Sequence, residues 1–127
     1  MLVAPAVWAR AEMALPVRMI LWLADRTVPG LHLAGGGIVK VTASDNRQAM
    51  IRLSTDPLTI YKTRVDAIKG LVDLMDKASA AAPNFHAPAL FLYGGHDELV
   101  PPEATAATWR ALPPGPVRAF YPEGYHL

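Results

Sequence analysis

Cysteine is absent from the 127-residue chain, which removes disulfide frameworks, thiolate nucleophiles and Cys-ligated zinc. The absence fits a reducing cytoplasm, the location expected here. Charge is scarce: charged residues are 18% of the chain and the formal net charge is +1. Lys and Arg are scattered rather than gathered in a stripe, so nucleic acid is not an expected partner. Long apolar runs are missing as well. The greasiest stretch, Met19-Ile-Leu-Trp-Leu-Ala24, is closed by Arg18 and Asp25 and falls far short of the ~20 residues of a spanning helix. The start, Met1-Leu-Val-Ala-Pro5, lacks a basic leader, so no signal peptide is expected. Gly35-Gly-Gly37 is followed by Ile38-Val-Lys-Val rather than by Gly-Lys-Ser/Thr opening a helix, which predicts a loop and not a phosphate cradle. His96-Asp-Glu98 lacks the ligand spacing of a metal site. No metal and no cofactor are expected.

Apolar residues are abundant, at 52%, and mean hydropathy is +0.20. Such a chain needs a core, and its length suits one domain that buries roughly two thirds of its unfolded surface. Ala89-Leu-Phe-Leu-Tyr93 has no polar alternation, as in a strand covered on both faces of a parallel sheet. It breaks at Gly94-Gly95 and delivers Asp97 into the loop beyond the strand's carboxyl end, where α/β sheets place reactive groups. Pro101-Pro-Glu103 starts a helix running to about Leu112, ended by Pro113-Pro-Gly-Pro116. Val117 to Tyr121 follows as a strand. Strand, helix, strand with short joins makes both strands parallel and the crossover right-handed. His126 then lies beyond its own strand as Asp97 does, and neighbouring strands bring both to one sheet edge. Met1 to Val7 reads as the end of another buried strand, limited by Pro5.

Between these strands the chain is mainly helical. Residues 8–25 read as helix broken at Pro16, with a second helix from Val17 to Ala24. That second helix is apolar nearly all round, so it is buried or faces an apolar ligand or lipid surface. Residues 27–43 read as a glycine-punctuated loop, with His32 a loop or cap residue. Ser44-Asp-Asn46 offers N-caps for a helix from Arg47 to Leu53, and Ser54-Thr-Asp-Pro57 is a turn. Thr63-Arg-Val-Asp66 has capping-box spacing, and Val65, Ile68, Val72 and Met75 recur at helical intervals up to Ala82. Trp8, Met13, Leu15, Met19 and Trp22 are candidates to line an acyl-chain pocket, or else they form local core.

Asp97 and His126 are the residues with chemistry. A carboxylate on one imidazole nitrogen fixes the tautomer and leaves the other nitrogen free to accept a proton from a nucleophile. The local alternative is that Asp97 only caps the next turn. The flanking residues carry a family resemblance. Leu92-Tyr-Gly-Gly-His-Asp-Glu-Leu-Val-Pro101 resembles the Gly-x-x-Asp-x-apolar-Val-Pro segment around the catalytic acid of α/β-hydrolases, and Tyr121-Pro-Glu-Gly-Tyr-His126 resembles their catalytic-histidine loop. Ala4-Pro-Ala-Val-Trp8, the Ser44-Asp-Asn46 helix and Asp56-Pro-Leu58 look like the bacterial lysophospholipase and monoacylglycerol-lipase branch, a serine aminopeptidase-type hydrolase domain. The resemblance implies the C-terminal part of an α/β-hydrolase fold, three parallel strands with a helical cap insertion. Residues 1–7 and 86–127 would form the sheet portion and 8–85 the cap. It further implies hydrolysis of a small lipid-like carboxylic ester through a Ser-His-Asp triad, with Asp97 orienting the base His126, no cofactor, and peripheral lipid contact through the cap.

One element of that pattern is missing. Gly-x-Ser-x-Gly occurs nowhere, and Ser44, Ser54 and Ser79 stand in cap, turn and helix contexts. The oxyanion donors and the helix after His126 are also lacking. The expectation is therefore a hydrolase cut at both ends and inactive alone, because triad members act as a unit. A non-catalytic truncated fragment that binds or self-associates through the exposed edge of residues 1–7 is the alternative class. Within enzymes, thioesterase, peptidase or carbon–carbon hydrolase activity suits the same fold.

Overall fold

The computed structural model describes residues 1–34 and 42–126. The Gly35-Gly-Gly37 segment and Ile38-Val-Lys-Val41 lie outside the described residues, as does Leu127. Three parallel strands form the main sheet in the order β1 (Leu2–Val3), β4 (Leu90–Gly94), β5 (Val117–Tyr121). Leu2 registers with Phe91, and Phe91 with Arg118. The connection from β4 to β5 is α4 (Pro102–Ala111), a helix opened by proline with Glu103 in its first turn. Phe91 is fully buried at 0% exposure, and its ring meets Trp109 of α4 edge-on at 5.5 Å and Tyr93 at 6.1 Å. Val100 and Ala104 complete this small core. Side chains alternate along a strand, so Val3, Leu90, Val117 and Tyr121 occupy the opposite face, and all four are exposed.

The described residues between 8 and 85 form three α-helices and a ribbon. α1 spans Leu15–Thr27, α2 Arg47–Thr55 and α3 Val65–Ala81. The stretch before Pro16 is not a first helix: only a 3₁₀ turn forms, at Arg10–Glu12, and Pro16 sits in the first turn of α1. The Asn46 side chain caps α2 as its position suggests, accepting from the Ala49 N–H at 3.1 Å.

Two expectations for this region are corrected. Residues 27–43 are not loop throughout, because β2 (His32–Ala34) pairs antiparallel with β3 (Lys62–Arg64), His32 opposite Arg64. Thr63 is consequently a strand residue and makes no capping box; the N-cap of α3 is Arg64, without a side-chain cap. The orphan N–H groups of α3 are met by backbone instead. Val65 donates to Leu31 O at 3.0 Å and Asp66 to Pro29 O at 3.1 Å. Pairing across thirty residues of chain leaves no local pattern to read.

Val65 and Val72 of α3 are buried with Ala9 and Met13. Arg10 ties the root of this region together. Its guanidinium reaches Asp73 at 2.5 Å and also Asp76, while its backbone N–H donates to Asp76 at 2.7 Å. No helix among the described residues is long and apolar enough to cross a membrane.

Candidate active site

The site begins with a backbone zipper between the loops after β4 and β5. Gly95 N–H donates to Tyr121 O at 2.8 Å, and His96 N–H to Gly124 O at 2.9 Å. The approach is too close for side chains. A Cβ on Gly94 would lie 2.2 Å from Gly124 O, and one on Gly95 2.3 Å from Pro122 O. Glycine is therefore required sterically at both positions, and each loop is fixed by the other.

This zipper brings Asp97 and His126 together. His126 Nδ1 lies 2.8 Å from Asp97 Oδ2, with the Asp97 side chain 8% and the His126 side chain 17% exposed. The second carboxylate oxygen is occupied as well: Oδ1 accepts from Leu99 N–H at 2.9 Å and Val100 N–H at 3.0 Å. Asp97 thus both caps the turn and holds the imidazole. With Nδ1 facing a carboxylate, a neutral ring carries its proton there and leaves Nε2 as the basic nitrogen. That geometry suits a general base.

The other candidates divide. Trp8 and Met13 line an apolar cleft of about 390 Å³ between α1 and α3, together with Ile20, Val72 and Met75. Met19 and Trp22 are not brought to it; at 61% and 58% exposure they project outward from α1, Trp22 beneath the Arg26 guanidinium at 4.7 Å. His96 stands beside the site without entering it, edge-on to Tyr125 at 5.3 Å and 4.0 Å from Glu123. Glu98 accepts from Thr42 N–H at 2.6 Å. No group of three potential ligands that could hold a metal occurs among the described residues.

Among the described residues, no serine is recorded in a hydrogen bond to His126. Ser44 accepts from Asn46 N–H, Ser54 donates to Ile51 O, and Ser79 lies within α3. The close approach of Gly94 and Gly95 to residues 122–124 escapes sequence reading, although the glycines are the signal for it. Gly-Gly before an acid marks a turn equally well.

Residues 1–127 match the family described as Serine aminopeptidase, S33. The chain resembles the crystal structure of a monoacylglycerol lipase from Paleococcus ferrophilus with a TM-score of 0.78 and 25% identity, covering 98% of this chain and 49% of that one. It also resembles a soluble variant of monoglyceride lipase from Saccharomyces cerevisiae, solved in complex with a substrate analog. There the TM-score is 0.69 and the identity 16%, covering 97% of this chain and 45% of that one. The chain thus spans about half the length of these structures. No curated protein matches it.

Proposed function

We propose, from the premise that this chain belongs to the serine aminopeptidase S33 family and adopts part of an α/β-hydrolase fold, that it supplies the acid and base of a serine hydrolase acting on lipid-like carboxylic esters. The observation that carries the reading is the 2.8 Å contact of His126 Nδ1 with Asp97 Oδ2. In that reading His126 Nε2 takes the proton of a serine from the remainder of the fold. It then returns the proton to the leaving alcohol, and the acyl-enzyme is hydrolysed by water activated in the same way. Asp97 holds the imidazole and stabilises the imidazolium. Residues 8–85 act as a cap. Its apolar cleft at Trp8 and Met13 takes the acyl chain, and the exposed face of α1 meets lipid.

The missing component sets the test. A fluorophosphonate probe should label no serine of the 127-residue chain, and a monoacylglycerol should not be turned over. Labelling of Ser44, Ser54 or Ser79 that is lost on His126→Ala would overturn the assignment. In a protein that joins this chain to a nucleophile segment, labelling should appear and His126→Ala should slow turnover by about 10⁴-fold or more.

A second reading has its own support. The open apolar face at Val3, Leu90, Val117 and Tyr121, beside the free edge of β1, suits a non-catalytic fragment that self-associates.

A further inference from the structure

A second concavity lies beside the Asp97 loop, between α4 and β5. Its volume is about 620 Å³, within the range of small-molecule sites. The register pairs Phe91 with Arg118 and Tyr93 with Phe120, so these side chains share the face that α4 covers. Tyr93, Trp109 and Phe120 make the apolar walls. Arg118 crosses them, its guanidinium 5.8 Å from the Tyr93 ring centroid and 5.5 Å from that of Trp109. It makes no ion pair among the described residues.

Charge is distributed unevenly along this groove. Arg110 and Arg118 line it together with Glu103 and Asp97. Glu103 and Arg110 are seven residues apart on α4, about two turns or ~10 Å. Asp97 lies in the loop just before Glu103, so both carboxylates belong to the N-terminal end of α4. The groove is therefore cationic toward the C-terminal end of α4, acidic at the other, and aromatic between. A bare inorganic anion would gain nothing from the aromatic walls, and a dianion would place its second charge toward the acidic end. A single planar carboxylate suits a guanidinium in bidentate geometry, and an apolar body attached to it would cover the rings.

We propose that this groove binds an amphiphilic monocarboxylate, its carboxylate on Arg118 with Arg110 nearby and its apolar body against Trp109, Tyr93 and Phe120. The apolar end then reaches Gly95, where the Phe120 ring already lies 3.1 Å from the position a Cβ would take. A ligand there contacts Gly95, whose backbone N–H bonds Tyr121 O in the loop pairing that positions Asp97.

The test is a titration of the 127-residue chain with octanoate, followed by amide and indole N–H shifts. Octanoate should give saturable shifts at the Trp109 indole and Gly95, and octanol, lacking the charge, should bind about tenfold more weakly or worse. Arg118→Gln should weaken octanoate by a similar factor while leaving octanol unchanged, and Arg118→Lys should recover part of the loss. The comparison of octanoate with octanol on the unaltered chain does not depend on any variant folding. Equal affinity for the two, octanoate binding indifferent to Arg118→Gln, or shifts confined to the α1–α3 cleft would each overturn the proposal. Equal shifts with acetate would also overturn it, since they would show that the aromatic walls contribute nothing.

Discussion

Asp97 divides its two oxygens between two sets of partners, and that division separates the turn from the proposed chemistry at a single residue. Oδ1 closes the turn to Leu99 and Val100, whereas Oδ2 faces His126. Asp97→Asn can keep the first and must lose the charge of the second. The variant should unfold at a urea midpoint close to the parent's, while the His126 imidazole loses its Nδ1–H preference in nitrogen-detected NMR. Joined to a nucleophile, the same change should cost about 10⁴-fold in kcat. Gly94→Ala should behave in the opposite way. Its Cβ would fall 2.2 Å from Gly124 O, so the zipper must open. A loss of about 1–3 kcal/mol in denaturant unfolding is expected, together with loss of the His126–Asp97 contact in the same NMR experiment. Whether Asp97 is a turn cap or an orienting acid is a question the chain order alone leaves open, because both roles use the same residue type in the same loop.

At the scale of elements, the link between the 3₁₀ turn at Arg10 and α3 is electrostatic. Asp73 is held below its ordinary carboxylate value of 3.8, first by the hydrogen bond from Lys69 and then by that from Arg10. A carboxyl that releases its proton more readily when folded binds fewer protons in the native state than in the unfolded one. Its contribution is complete above pH 3.8 and fades as the pH falls below that value. Urea midpoints should therefore drop on acidification below about pH 4. Arg10→Met should lower the urea midpoint only slightly near neutrality, as expected of solvent-screened pairs, and should show a shallower acid limb than the parent. An identical acid limb in the variant would mean that Arg10 does not contribute. The helices here were legible from capping and periodicity: Asn46 caps α2, and Val65 and Val72 face inward on α3. The β2–β3 ribbon was not, because its two strands have three residues each, are mostly exposed, and pair across a connection that contains α2.

The whole molecule exposes 9050 Å², against roughly 6,600 Å² expected for a compact monomer of this mass. Exposed apolar side chains contribute to it: one sheet face is open, and Met19, Ile20 and Trp22 project from α1. Surfaces of this kind associate. Sedimentation velocity over a concentration series should show dimers or larger species, and Val117→Lys, placing a charge on the open face, should shift the distribution toward monomer. A monomer at every concentration would count against the self-association reading.

The sequence by itself determined the parallel strands, the crossover helix between β4 and β5, and the placing of Asp97 and His126 just past neighbouring strands. Each rests on local signals: an apolar run, a proline-led helix start, and an acid or imidazole just past a strand. Tertiary structure decided the 2.8 Å meeting of His126 with Asp97, the glycine contacts that permit it, and the backbone capping of α3 by Pro29 and Leu31. It also divided the apolar residues of the region before β4, turning Trp8 and Met13 inward and Met19 and Trp22 outward. These are contacts between segments far apart in the chain. Their geometry is set by how closely two backbones can approach, which no residue encodes alone.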